Sequence, residues 1–273
     1  MNNIWITTWY TVREAFARKV FLFFIGLSTL AIIISAIVVS VLSDAALQSS
    51  ITVHNQNLMF DQIVTSIELM IITPLISLGI LLAIFSSASF VPHMLEKGNI
   101  DLHLSKPISR SQLLLGKYFG GLLVVFINIA FLVIGIWLVI STRFWIFNFA
   151  FLYVILSVTF TFAVLYALIV LFGVVTQSSV LGMMSAYFIF LILSPLLYAG
   201  RTKFGAIITS DFLKSVIDFF YYLIPKTSEL IGELTVNLAV GQGIVDWQPI
   251  LTSLAFMLVA LGYSIYLFNK KDF

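Results

Sequence analysis

With 273 residues, of which 61% are hydrophobic and 10% charged, and with a mean hydropathy of +1.11, the chain carries more apolar surface than a soluble core of its size could hide from water. A water-soluble globular protein is therefore excluded, and the lack of any Cys excludes a disulfide framework, a thiolate nucleophile and a cysteine metal site. The net charge of +2 gives no basic surface that would point to nucleic acid as a partner.

The chain opens with an amphipathic stretch over 1–19. Trp5, Trp9, Val12, Phe16 and Val20 recur at helical spacing, while Thr8, Thr11, Glu14 and Arg18 lie opposite, with Glu14 and Arg18 at a favourable i,i+4 offset. Such a pattern predicts a helix lying in a membrane interface. Apolar runs follow at 20–42, 67–91, 118–140, 149–175, 180–199 and 250–268. Each is long enough to cross about 30 Å of hydrocarbon, which takes roughly 20 helical residues. Their continuous hydrophobicity excludes the strands of a barrel, which alternate over about ten residues. The expected fold class is thus an all-α integral membrane protein with six transmembrane helices. Arg13, Arg18 and Lys19 precede the first run, but its length exceeds the roughly 7–15 residues of a cleaved secretory segment, so it is expected to remain as an anchor.

Basic residues set the orientation. With the N-terminus inside, the inner segments hold Arg13, Arg18, Lys19, Lys97, Lys106, Arg110, Lys117, Lys270 and Lys271, nine of the fourteen. The outer ones hold Arg143, Arg201, Lys203, Lys214 and Lys226, four of them in one long loop where charge constrains topology weakly. Both termini are accordingly assigned to the cytoplasm.

The connector between spans two and three, 93–110, then lies inside, and it opens the run "EKGNIDLHLSKPISRSQLLLGKYFGG" over 96–121. Asn99 is placed to cap a short helix over 100–105, Asp101 falls in its electropositive first turn, and Pro107 stops it. Next, Ser109 and Gln112 have the spacing of a capping box, with Ile108 and Leu113 placed for a hydrophobic staple. Gly116 and Gly120, four apart, offer a smooth strip for close helix packing, and Lys117 is expected to snorkel to the interface. On these grounds alone the connector is either a solvated positive loop or a contact for another protein.

Beyond span five, the outer segment 200–248 predicts two more helices. In 211–224, Phe212, Val216, Phe219, Phe220 and Leu223 oppose Lys214, Ser215 and Asp218, and Pro225 marks a break. Thr227, Ser228 and Glu229 start the second helix, which carries Leu230, Ile231, Leu234, Leu238 and Val240 and ends at Gly241. These helices either dip into the bilayer or lie flat on its outer leaflet.

The run 96–120 resembles the signature of type-2 ABC transporter permeases, in which Glu, Gly, a short leucine-rich helix, Pro, Ser-Arg and Gly-Lys follow in this order between spans two and three. Glu96, Gly98, Leu102, Leu104, Pro107, Ser109, Arg110, Gly116 and Lys117 match residue by residue. The departure lies at 99–103, Asn-Ile-Asp-Leu-His where Thr-Leu-Glu-Leu-Leu is usual: Asn99 keeps the cap, but His103 puts an aromatic base where a leucine packs. The helix at 1–19 is similar to the family's elbow helix, the pair within 200–248 to its re-entrant helices, and the closing "LFNKKDF" to its basic-acidic tail.

The resemblance implies a single permease domain over 1–273 in the inner (plasma) membrane, a subunit of an ATP-driven exporter. It implies that Glu96, Gly98, Asn99, Asp101, Leu102, Leu104, Pro107, Ser109 and Arg110 couple to an ATPase. The partners it implies are two ABC ATPase subunits, which bind ATP and Mg, a second permease copy or homologue, and the lipid bilayer. This chain itself has no G-x-x-x-x-G-K-[ST] phosphate loop and no H-E-x-x-H zinc motif, so no catalytic residue, cofactor or metal is expected on it. No span carries a charge near its centre, as an ion-coupled carrier would need: Glu68 falls at the outer edge of span two. His54, His93 and His103 are placed in loops, and Asn128, the one amide well inside, reads as a helix–helix hydrogen bond. A reading of a different class is a non-transporting membrane scaffold or sensor whose 200–248 loop binds a partner outside.

Overall fold

All six apolar runs are helical in a computed structural model of the chain, which describes residues 2–17, 20–50, 56–95, 109–202 and 211–271. The N-terminal helix α1 is Asn2–Ala17, and α2 (Val20–Ser50) contains the first span. Helix α3 (Gln56–Ser87) continues after a turn at Ala88 and Ser89 as the short α4 (Phe90–Met94). Helix α5 is Arg110–Phe144, α6 is Val154–Thr176 after a 3-10 turn at Phe149–Tyr153, and α7 is Ser179–Thr202 with a π-helical turn at Phe188–Leu193. Helix α8 (Asp211–Leu223), a helix α9 over 227–239 with a π-helical turn at Leu230–Leu234, and α10 (Gln248–Lys270) complete the chain. Six helices are long and apolar enough to cross a membrane, and no strand occurs among the described residues.

Helix α6 is the hub because its sequence is apolar on every side, and such a helix is stable only when surrounded. Its most apolar stretch is 78% buried, against 22% for those of the first and last spans. Helices α3, α5, α7 and α10 pack on it, and α2 lies outside against α3 and α5. Helix α5 stops where Trp145 turns left-handed (φ 59), and α6 stops at Gln177 (φ 55). Ser178 then accepts from the Leu181 N–H and caps α7.

The aromatic stripe of α1 faces outward, with Trp5, Trp9 and Phe16 exposed. Val12, assigned to that stripe, is buried with Thr7, Thr8, Thr11 and Ala15. These small residues pack along the first half of α5, where a Cβ on Gly116 would sit 2.4 Å from the Thr7 Cβ and one on Gly120 2.5 Å from the Thr11 Cβ. The Thr8 hydroxyl donates to the Gly116 carbonyl at 3.3 Å. The glycine strip thus has an identified partner, α1, in the small-against-small packing that lets helix backbones meet where lipid gives apolar side chains no reason to hide.

Two further expectations are corrected. Lys117 does not reach out to the interface: it is 2% exposed and its ammonium lies 2.5 Å from Glu14, because α1 covers the route to the interface and supplies the counter-charge. His93 lies in helix α4 rather than in a loop, since Phe90, Val91, Pro92 and Met94 bury against α5 and α6. Arg18, the expected partner of Glu14, lies outside the described residues.

Candidate functional site

The residues singled out by the sequence divide in two. Glu96, Gly98, Asn99, Asp101, Leu102, Leu104 and Pro107 lie outside the described residues, as do His103 and Ile108. Ser109, Arg110, Gly116 and Gly120 are described, and the first two sit in a polar collar at the end of the bundle that carries both termini.

The capping box forms as its spacing requires. The Ser109 hydroxyl accepts from the Gln112 N–H at 3.3 Å, and the Gln112 side chain accepts from the Ser109 N–H at 3.3 Å. Two of the four orphan donors of a helix start are thereby satisfied, and α5 begins at a fixed residue instead of fraying. Asn3 of α1 donates to the same Gln112 side-chain oxygen at 3.4 Å, tying the first helix to the box.

Arg110 reaches across to the last span. One guanidinium nitrogen donates to the Phe268 carbonyl at 3.4 Å and also to the Lys271 carbonyl, both at the end of α10. A cation there also meets the negative end of the helix dipole. Beside it the Asn269 amide donates to the Ser111 hydroxyl at 3.1 Å. Lys271 then carries the chain of contacts to α6, its ammonium donating to the Val174 carbonyl at 2.6 Å and to the Val175 carbonyl at 3.3 Å. The C-terminal ends of α6 and α10 and the start of α5 are therefore joined by cation-to-carbonyl bonds. Helix α4, the last described element before the connector, packs against α5 and α6 beside them: Pro92 and Val91 lie 3.3 Å from where a Cβ of Gly173 would be.

Sequence reasoning missed these partners because they lie 96 to 161 residues apart. The signal that was present was chemical: two adjacent cations, Lys270 and Lys271, at the end of an apolar helix.

The opposite end of the bundle is built differently. Glu68 is 1% exposed, and its Oε2 accepts from the Asn148 amide at 2.9 Å. The same amide donates to the Ala239 carbonyl at 2.9 Å, so Asn148 joins α3 to the end of α9. The second Glu68 oxygen is buried without a partner. Further along, the Lys226 ammonium sits 3.8 Å from the centre of the Tyr221 ring, and the Tyr221 hydroxyl donates to Glu229 at 2.6 Å. Burial pushes the Glu229 carboxyl and the Tyr221 hydroxyl up from their ordinary pKa values and the Lys226 ammonium down. Among the described residues no cluster of His, Asp and Glu is arranged to hold a metal ion.

No curated protein matches the chain. The family model described as "ABC-2 family transporter protein" matches residues 20–273, nearly the whole sequence and all six membrane-crossing helices. The multi-pass helical bundle and the resemblance carried by 96–120 agree with that match, and the chain belongs to the ABC-2 transporter family of membrane permeases.

Proposed function

We propose that this chain is the permease subunit of an ATP-driven exporter and that residues 96–110 are its contact with the ATPase. The observation that carries the reading is the collar at the end of that segment. A connector that received a push would have to pass it to several spans at once, and Ser109, Arg110 and Lys271 tie the starting point of α5 to the ends of α6 and α10. A loop that only bridges two spans has no need of such bracing.

In this reading Glu96, Gly98, Asn99, Asp101, Leu102, Leu104 and Pro107 form a short helix and its ends. Leu102 and Leu104 supply the apolar knob for a groove in the ATPase. Two ATPase subunits bind ATP and Mg and close on each other, and the collar turns that motion into movement of α5, α6 and α10 as a group. Two permease copies, or one and a homologue, enclose the translocation path. The membrane is the inner (plasma) membrane with both termini in the cytoplasm, as the distribution of basic residues favours.

Co-expression with the cognate ATPase and purification in a mild detergent tests this directly. The reading predicts a complex of two permeases and two ATPases that hydrolyses ATP. A permease that never carries an ATPase, while its 200–248 region captures an external partner, would establish the scaffold or sensor instead.

A further inference from the structure

An apolar groove of about 650 Å³ lies between α2, α3 and α5, away from the collar. Leu27 and Ile34 form one wall, Met70 and Leu78 the other, and Leu132 lies at the floor. Its size falls within the roughly 300–1,000 Å³ of small-molecule sites. It sits at mid-membrane depth: Asn128, on the floor, follows Arg110 by 18 positions and precedes Phe144 by 16 along α5.

Asn128 makes this more than a greasy cleft. The side chain is 2% exposed, and its amide nitrogen donates to the Val124 carbonyl at 2.9 Å. Exchanging the amide oxygen and nitrogen would set two acceptors against each other, so the bond to Val124 identifies which atom is the oxygen. The amide oxygen is then the group left over, and it is buried without a hydrogen-bond partner. In hydrocarbon no water stands by to satisfy it. Turning about asparagine's broad terminal torsion presents this oxygen to a donor in the groove and exchanges the Val124 bond for one to the ligand. One wall carries a second irregularity: Pro74 has no N–H, so the carbonyl of Met70 lacks its helical donor.

We infer that the groove binds a long-chain apolar molecule carrying a hydroxyl, the chain lying along α2 and α3 and the hydroxyl donating to the Asn128 oxygen. The site leaves one acceptor, the Asn128 oxygen, buried and unpaired, while its Ser28 hydroxyl can pair with an alcohol and an ether oxygen alike. It therefore favours an alcohol over an ether or ketone of the same length and excludes a carboxylate, whose charge would meet the amide oxygen in a medium that cannot solvate it. The inference concerns binding to this chain and does not depend on ATP coupling.

The test uses the purified full chain in lipid nanodiscs and a photoreactive long-chain alcohol, with the corresponding methyl ether as comparator. The cross-linked peptides are mapped by mass spectrometry. Wild type should label on the α2 and α3 walls, with the alcohol preferred by about tenfold, the worth of one net hydrogen bond. Asn128→Leu should erase the preference while the ether still labels. Gly79 lines the groove and nothing lies within 4 Å of where its Cβ would be, so Gly79→Phe starts a ring in open space and should abolish labelling by both probes at unchanged thermal stability. Equal labelling of wild type by alcohol and ether overturns the assignment of the hydroxyl. Labelling spread over all spans, or undiminished in Gly79→Phe, overturns the site.

Discussion

At the end that carries the termini, buried or bridging polar groups find partners: Lys117 meets Glu14, Arg110 and Lys271 meet helix carbonyls, and Ser109 and Gln112 satisfy each other. At the opposite end, one Glu68 oxygen, the Ser141 and Thr227 hydroxyls and the Lys226 ammonium are buried without a hydrogen-bond partner. Helix α9, with its π-helical turn, lies at that end, and the second π-helical turn interrupts the middle of α7. Fully paired polar groups fix one arrangement of helices, whereas unpaired groups and π-turns mark places where another arrangement costs little more. The two ends therefore differ in how firmly polar contacts fix their helices.

Breaking the paired end should cost most. Glu14→Gln leaves the Lys117 ammonium buried without its counter-charge and should destabilise the protein by about 3 kcal/mol, the low end for a broken buried pair because Glu14 is partly exposed. Thermal unfolding in detergent measures this, and exchanging the two charges (Glu14→Lys with Lys117→Glu) should recover part of the loss. Next comes the glycine strip. Gly120→Val drives a side chain into Thr11 and should cost about 1–3 kcal/mol. The matching change at the other end, Gly232→Ala, meets nothing within 4 Å and should stabilise by about 0.4–1 kcal/mol. Equal effects of these glycine changes would erase the contrast between the ends.

Ser109→Ala removes the cap of α5 and should cost about 1 kcal/mol. The smallest effect is a pH dependence of the opposite end. Burial raises the Glu229 carboxyl above its ordinary value of 4.5, so the folded state holds that proton more tightly than the unfolded chain. The stability this gives is fully present below the ordinary value and is lost as pH rises through the raised one. Tm should fall across that window in wild type, and Glu229→Gln should fall less.

How much of this could be read from the sequence follows from the range of each interaction. The spans were legible because a run of about 20 apolar residues has few other uses, and the α5 start because a capping box is local to Ser109 and Gln112. The region over 211–239 was legible as two helices, and Gly241 (φ 80) follows the second, a conformation that glycine adopts freely. The face of α1 that packs was harder, since burial there follows smallness rather than hydrophobicity, and Thr7, Thr8 and Thr11 look like a solvated side. The long-range bonds of the collar were not legible. Arg110 and Lys271 bond to backbone carbonyls, which every residue has, so no side-chain pattern announces the pairing.

The claim at the centre is that the collar receives a push through residues 96–108. Permease-dependent ATP hydrolysis by the assembled complex tests it most directly, comparing wild type with a Leu102→Gln, Leu104→Gln variant whose membrane insertion is verified. The account predicts that the variant loses either assembly or permease-dependent hydrolysis while the bundle keeps its thermal stability. Wild-type assembly, hydrolysis and transport in that variant would contradict it and leave the segment an ordinary loop.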